Sequence, residues 1–307
     1  MKPLVSLCIP TNGVSEWVFS VLASIDAQGI ENSQFEIVIT DNGHNDEFKQ
    51  KMGTYLTTHT NVVYVETEAL PFLNEIESYK RASGTLIKFV NHRTRLVPGA
   101  LRRLIDFAEA FQNSKPIVYF SNGVLQLTKE PHYFDTFDQF VKNLSYFSSW
   151  STGMAIWNED FERLTEDISE YNELFPHTTV LFSERKRDQY IIDNSVVFDE
   201  IPQGNRPKGG YDLFFAFGIE YPWIVCNLLR DKCITNDTYR TVVNANLTFV
   251  ASLCFSYIIR RRYCSYDLSG YDNMFGVFYS KAQIRKRIIK YCFGVIMKKL
   301  FGKRKQY

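Results

Sequence analysis

The chain of 307 residues has six cysteines but no CxxC pair, and most of them sit in apolar surroundings. They read as reduced, small core residues of a protein in a reducing compartment. There is no GxGxxG, no GxxxxGKS or GxxxxGKT and no GxSxG, which removes the simple dehydrogenase, NTPase and esterase readings. No internal repeat is visible. No long hydrophobic run opens the chain: residues 4–9 are apolar but stop at Pro10, too short for the core of a signal peptide. They look like a strand, and the expected location is the cytoplasm. Hydrophobic residues at 45% and charged residues at 22% exclude disorder, collagen and coiled coil. A length of 307 residues is enough for one large α/β domain, or a domain with a smaller extension.

Aromatics are plentiful, with 25 Phe, 18 Tyr and 4 Trp. That suits stacking on flat ligands or contact with a membrane interface, and core packing uses such residues too. Charge is unevenly spread. Residues 281–307 carry ten Lys and Arg and no Asp or Glu, leaving 25 basic against 34 acidic side chains in the first 280 residues. A basic tail on an acidic body asks for an anionic partner at the tail.

Along the chain, short apolar runs alternate with helical patterns. Strands are expected at residues 4–9, 35–41, 62–65, 86–90, 117–120 and 154–157. Helices are expected at about 15–25, 47–59, 72–82, 99–111 and 134–147, with a hairpin at 121–123. Such alternation with short loops means βαβ units and an α/β fold built on a mostly parallel central sheet flanked by helices. Ligands sit at the carboxyl ends of the strands in such sheets, here residues 10–13, 41–44 and 91–95. The polar, Gly/Pro-rich stretch 202–210 marks a boundary between a domain at 1–203 and a helical extension at 204–307.

Four segments carry a family resemblance: PLVSLCIPT at 3–11, FEIVITDN at 35–42, Asn74 followed by ASG at 82–84, and KFVNHRTRLVPGAL at 88–101. Each alone is weak, but in this order and spacing they resemble the family 2 glycosyltransferases, which have the GT-A fold. Residues 175–177 (FPH) and 208–212 (KGGYD) look like the branch that decorates bacterial O-antigen and capsular glycans. The resemblance covers roughly residues 3–215. It implies a hexosyltransferase-type enzyme that moves a sugar from a nucleotide-diphosphate donor, with inversion, to a lipid-linked or polysaccharide acceptor. Pro10, Thr11 and Asp41 match the family's nucleotide-binding positions, and an ionised Asp41 accepts hydrogen bonds from an imide N–H or ribose hydroxyls. The plainer role for Asp41 is to cap the turn before Gly43. Asn74 either bonds the donor or ties loops together.

The departure lies after the fourth strand. The family places an aspartate cluster there to hold a divalent metal on the diphosphate, and this chain reads Asn91-His92-Arg93-Thr94-Arg95. Mg²⁺ or Mn²⁺ wants oxygen ligands, and two guanidinium groups repel a cation. Arg93, Arg95 and His92 are therefore the candidate diphosphate-binding residues, with no metal or other cofactor expected unless carboxylates outside 91–95 supply a site. The resemblance also implies a base for the acceptor hydroxyl. His177 is the candidate, with helix capping or donor contact as its other readings and Glu173 nearby; Glu159 and Asp160 are further candidates, although they also read as a helix start. His44, His59 and His132 have no metal-ligand spacing and read as surface residues.

In the tail, residues 284–301 mix Ile, Val, Leu and Phe with lysines and arginines, the pattern of a basic amphipathic helix drawn to an anionic membrane surface. Residues 242–259 are apolar but interrupted by Asn, Ser and Thr, and are expected to be buried or interfacial rather than spanning. No nucleic-acid motif accompanies the tail, so nucleic acid is not an expected partner. The expected setting is peripheral, at the inner face of the cell membrane, with the oligomeric state open. The competing reading is a catalytically inactive pseudo-glycosyltransferase that serves a glycan assembly complex as a binding or scaffold subunit.

Overall fold

Val5–Thr11 (β1) is a seven-residue apolar run buried along nearly its whole length, the signature of a strand covered on both faces. It pairs in parallel with Phe35–Asp41 (β2), from Val5 opposite Phe35 to Thr11 opposite Asp41. Ser15–Asp26 (α1) makes the crossover, burying Trp17, Val18, Val21, Leu22 and Ile25 at helical spacing. Asp46–Leu56 (α2), capped by the Asn45 carboxamide, leads to Val62–Glu66 (β3), parallel to β2. Asn74–Tyr79 (α3) then carries the chain back across β1 to Leu86–Phe89 (β4), parallel to β1 on its other side. The computed structural model describes residues 2–202 and 209–301, with side chains through Cys292.

Beyond β4 come Thr94–Leu96 (β5), Ala100–Phe111 (α4), Ile117–Phe120 (β6), His132–Phe134 (β7) and Phe137–Leu144 (α5). Short 3₁₀ turns at Ser145–Ser149 and Ser151–Gly153 precede Ala155–Trp157 (β8), Asn158–Phe161 (α6), Pro176–Leu181 (α7), Tyr190–Asp193 (β9) and Phe198–Glu200 (β10). The main sheet has the order β3-β2-β1-β4-β8, parallel except for β8, and its direction of growth reverses between β1 and β4. A crevice at that reversal is where such sheets bind ligands. Two smaller sheets, β5 with β10 and β6-β9-β7, complete this part.

The hairpin expected at 121–123 does not form. β9 lies between β6 and β7, and the Asn122 side-chain oxygen instead accepts the N–H groups of Val197 and Phe198. Asn194 holds the following loop by donating to the carbonyls of Leu125, Leu127 and Thr128. The helix expected at 134–147 is shorter, because Phe134 belongs to β7.

The chain folds as two compact units, Met1–Phe140 with Phe147–Gln203, and Val141–Tyr146 with Gly204–Tyr307. The hinge expected at 202–210 falls mainly on residues 203–208, which lie outside the described residues. The second unit contains Leu213–Phe215 (α8), Tyr221–Arg230 (α9), Asn236–Leu253 (α10) and Lys281–Phe301 (α11), with π-helical turns at Ala216–Glu220 and Cys254–Ile259. Inside it Asn246 is fully buried and donates to the Phe217 carbonyl and the Tyr279 hydroxyl. Leu213–Arg230 and Asn236–Ile259 are long and apolar enough to cross a membrane, by length and composition. In α11, Ile284 is buried and Ile288 and Tyr291 are half-buried, the Tyr291 ring packing on Phe255. The apolar stripe expected to face a membrane is thus partly covered from within the unit, while Arg285, Lys286 and Lys290 point outward. Lys298, Lys299, Lys303, Arg304 and Lys305 lie outside the residues whose side chains are described.

Candidate functional site

Two interlocked loops close the carboxyl ends of β1 and β2. The Asn42 N–H donates to the Thr11 carbonyl at 3.1 Å, and the Asn45 amide donates to the Gly13 carbonyl at 3.1 Å. Gly13 takes φ +73°, a conformation that favours glycine, to turn the chain into α1. Gly43 lies so close to the Asn12 backbone that a Cβ there would stand 2.0 Å from the Asn12 oxygen.

Asp41 is fully buried beneath this floor. Its carboxylate accepts the Gly43 N–H at 2.8 Å and the Tyr64 hydroxyl at 3.0 Å. Burial raises its pKa, and those two donors partly offset the rise. Capping the turn before Gly43 is therefore what Asp41 does here, with its carboxylate against Gly13. Pro10 is half-buried in β1, while Thr11 is buried, its hydroxyl accepting the Gly13 N–H and meeting His92 Nδ1 at 2.9 Å.

Of the two roles open to Asn74, its hydrogen bonds carry the tying of loops. It is 1% exposed, and both its N–H groups are spent on the carbonyls of Thr11 and Thr40. Its oxygen accepts the Thr67 hydroxyl at 2.8 Å. Both amide N–H groups and the oxygen are thus used in tying three loops together.

The loop after β4 is built around Asn91, whose side-chain oxygen accepts the Arg93 N–H at 3.0 Å. The Arg93 guanidinium lies 5.7 Å from the Trp17 ring centre, and the His92 ring lies 5.3 Å from the same indole. Trp17, in the first turn of α1, is thus part of the site; its sequence signal was an aromatic six residues after Thr11. Burial and the adjacent Arg93 push the His92 pKa down to about 3, so His92 is a neutral imidazole and adds no positive charge. Arg95 is exposed, on the face of β5 opposite the buried Thr94 and Leu96, with Asp199 across the ladder. These residues do not fit a divalent metal: there is no carboxylate, and the one amide oxygen is already bonded beside a guanidinium. Among the described residues no three His, Cys, Asp or Glu side chains gather to hold a metal ion.

Lys88 was not anticipated. It is fully buried in β4, and its ammonium donates to the carbonyls of Phe89, Thr152 and Met154. Burial pushes its pKa down to about 7. The signal was a lone charge inside the apolar run of β4. Its three bonds fasten the segment before β8 to the strand that presents Asn91.

His177, at the start of α7, is 5% exposed, and burial pushes its pKa down to about 4. Its Nδ1 is 3.7 Å from the Glu75 carboxylate of α3. Glu173 is exposed in the loop before α7 and makes no ion pair with His177. Glu159 is paired with Lys115, and Asp160 with Arg163 and Arg187, so these carboxylates serve as structural ion pairs around β8 and α6.

No protein-family model matches the chain. Over 103 residues it is 34% identical to an uncharacterised protein of Mycobacterium tuberculosis, MT1568; the match spans 34% of this chain and 32% of that protein. Its fold is similar to that of S. aureus TarS 1–349, solved in complex with UDP-GlcNAc, with a TM-score of 0.61 at 12% identity over 99% of this chain and 93% of that one. It is also similar to the mannosyltransferase PcManGT from Pyrobaculum calidifontis, solved with GDP-Man and Mn²⁺, with a TM-score of 0.50 at 14% identity over 99% and 89% of the two chains. The fold is therefore GT-A-like.

Proposed function

We propose that this chain is a glycosyltransferase that moves a sugar from a nucleotide-diphosphate donor to a glycan acceptor, with guanidinium groups in place of a divalent metal. The observation that carries the reading is the Asn91–Arg95 loop: at the ligand-binding reversal of a GT-A-like sheet it offers arginines and no carboxylate. The solved neighbours support the donor class, since TarS was captured with UDP-GlcNAc and PcManGT with GDP-Man. Base and ribose rest on the loops after β1 and β2, around Pro10 and Thr11 and above Asp41. The acceptor hydroxyl gives its proton to His177 as its oxygen bonds to the anomeric carbon. The bond from that carbon to the diphosphate breaks on the opposite face, with inversion. Arg93 and Arg95 take the charge that develops on the departing nucleoside diphosphate. The acceptor is a lipid-linked or polysaccharide precursor of a surface glycan such as O-antigen or capsule. The enzyme works at the cytoplasmic membrane surface, held there by the basic side chains of α11 and the tail.

The test is hydrolysis and transfer across a panel of nucleotide sugars, with EDTA and with added Mn²⁺, on wild type and Arg93→Ala. Turnover is expected to survive EDTA and to fall by roughly 10²–10³ in Arg93→Ala, the usual cost of losing one group that stabilises transition-state charge. Activity abolished by EDTA and restored by Mn²⁺ overturns the cationic replacement. The same loop favours one rival, an inactive scaffold that binds donor without turning it over; binding with no turnover on the whole panel selects it.

A further inference from the structure

We propose that Glu75 is the positioning residue of His177: its carboxylate accepts the Nδ1 proton of the imidazole and leaves Nε2 bare to take the acceptor proton. The inference rests on His177 acting as the base. It starts from a cluster of buried polar atoms left unpaired. Glu75 is 3% exposed and His177 5%, with Oε1 and Nδ1 3.7 Å apart. Neither imidazole nitrogen, nor Glu75 Oε1, nor the Tyr79 hydroxyl makes a hydrogen bond of good geometry, although the Tyr79 hydroxyl faces Glu75 and the Ser149 backbone faces the imidazole. Buried polar groups make well-formed hydrogen bonds in the great majority of cases, so four atoms in one cluster that meet only loosely mark more than a packing role.

What surrounds the pair is neutral. From α3 comes the Tyr79 hydroxyl, whose own pKa is raised by burial and by Glu75. From β1 comes the Cys8 thiol, raised by burial and bonded to the Ser78 carbonyl. The backbone of Ser149 and the edge-on Phe175 ring complete the shell around the imidazole. The ion-pair contact that Glu75 and His177 make is with each other. Burial pushes the imidazole down to about 4 against the opposing Ser149 backbone, and pushes the carboxyl up against the opposing Tyr79 hydroxyl. An isolated buried imidazole is too weak a base, and an ionised carboxylate at this distance restores its basicity, as the third member does in a hydrolase triad. The pair then titrates as a unit, and its proton-accepting form is the ionised carboxylate beside a neutral imidazole protonated at Nδ1.

The placement has a second consequence. Glu75 follows Asn74, whose side chain is bonded to the ends of β1 and β2. One short helix thus fixes the nucleotide-side loops with one residue and the base with the next.

The test uses the full chain and ¹⁵N-imidazole NMR, with the His177 signal assigned by its loss in His177→Asn. Wild type is expected to hold the Nδ1–H tautomer. In Glu75→Gln the His177 midpoint is expected about 1–3 pH units lower, the size of an opposite charge at this range. With UDP-GlcNAc and GDP-mannose as donor probes, Glu75→Gln lowers kcat at least tenfold without raising the donor KM, and Glu75→Asp recovers part of the loss. A wild-type His177 in the Nε2–H tautomer, or an unchanged midpoint in Glu75→Gln, overturns the inference even when His177→Asn is inactive. The tautomer is read on wild type, so it decides the matter if Glu75→Gln fails to fold. A His177→Asn variant as active as wild type removes the base reading and the inference with it.

Discussion

Several side chains of the site are consumed by the protein itself, and the bonds they make decide how each should respond to substitution. Asn74 satisfies three partners from a fully buried position. Asn74→Ala should cost roughly 3 kcal/mol, because it strands two carbonyls and a hydroxyl without water; urea denaturation measures this, and a loss under about 1 kcal/mol speaks against the tie. His92 makes a different prediction. Its pKa in the fold is depressed from 6.5 to about 3, so the unfolded chain takes up the proton first. The stability it contributes is present above pH 6.5 and is lost as pH falls from there towards 3. The melting temperature should drop across that window, and less steeply in His92→Gln; equal slopes would show that His92 titrates normally. Glu75 carries the opposite sign, since its raised pKa contributes stability at low pH that is lost as pH rises. The substitution at His92 therefore isolates one contribution.

At the scale of elements, the order of strands does more than their composition. α3 returns the chain from β3 to β4 across β1, so the sheet's growth reverses between β1 and β4, the position at which such sheets bind ligands. The continuous apolar runs of β1 and β2 and the 3.6-residue period of α1 and α4 were readable in the sequence. β5, β7 and β10 have only three residues each, and their pairing comes from distant chain: Thr94–Leu96 finds Phe198–Glu200 about a hundred residues on. Local periodicity holds no record of such contacts. In the second unit α10 is held through Asn246, which links it to the Phe217 carbonyl and the Tyr279 hydroxyl. Asn246→Ala should destabilise by about 2 kcal/mol through these lost bonds. Hydrogen exchange that speeds up in α10 and at Tyr279, with β1 and β2 unchanged, is the expected pattern; uniform acceleration would mean that the two units unfold together.

Across the whole molecule the dominant feature is the segregation of charge, ten basic residues in the last 27 against a surplus of acids before them. Vesicles with anionic lipid should sediment the protein while neutral phosphatidylcholine vesicles do not, and salt should weaken the binding. Replacing Arg285, Lys286 and Lys290 by Glu should abolish it; retention on neutral vesicles would point to the exposed apolar residues Trp223, Ile259 and Tyr263 instead. The sequence by itself determined the α/β class, the positions of the main strands and the loop that lacks carboxylates. Those properties live in local periodicity and in residue type, which survive without any tertiary contact. Only the tertiary structure decided which candidate side chains are free. Asn74 and Asp41 are spent on neighbouring backbone and side-chain groups, Trp17 meets Arg93, and Glu75 meets His177 across about a hundred residues of chain. Burial and hydrogen-bond partners are set by which distant segments pack together, and it is those that turn a polar residue into a ligand contact, a structural tie or a base.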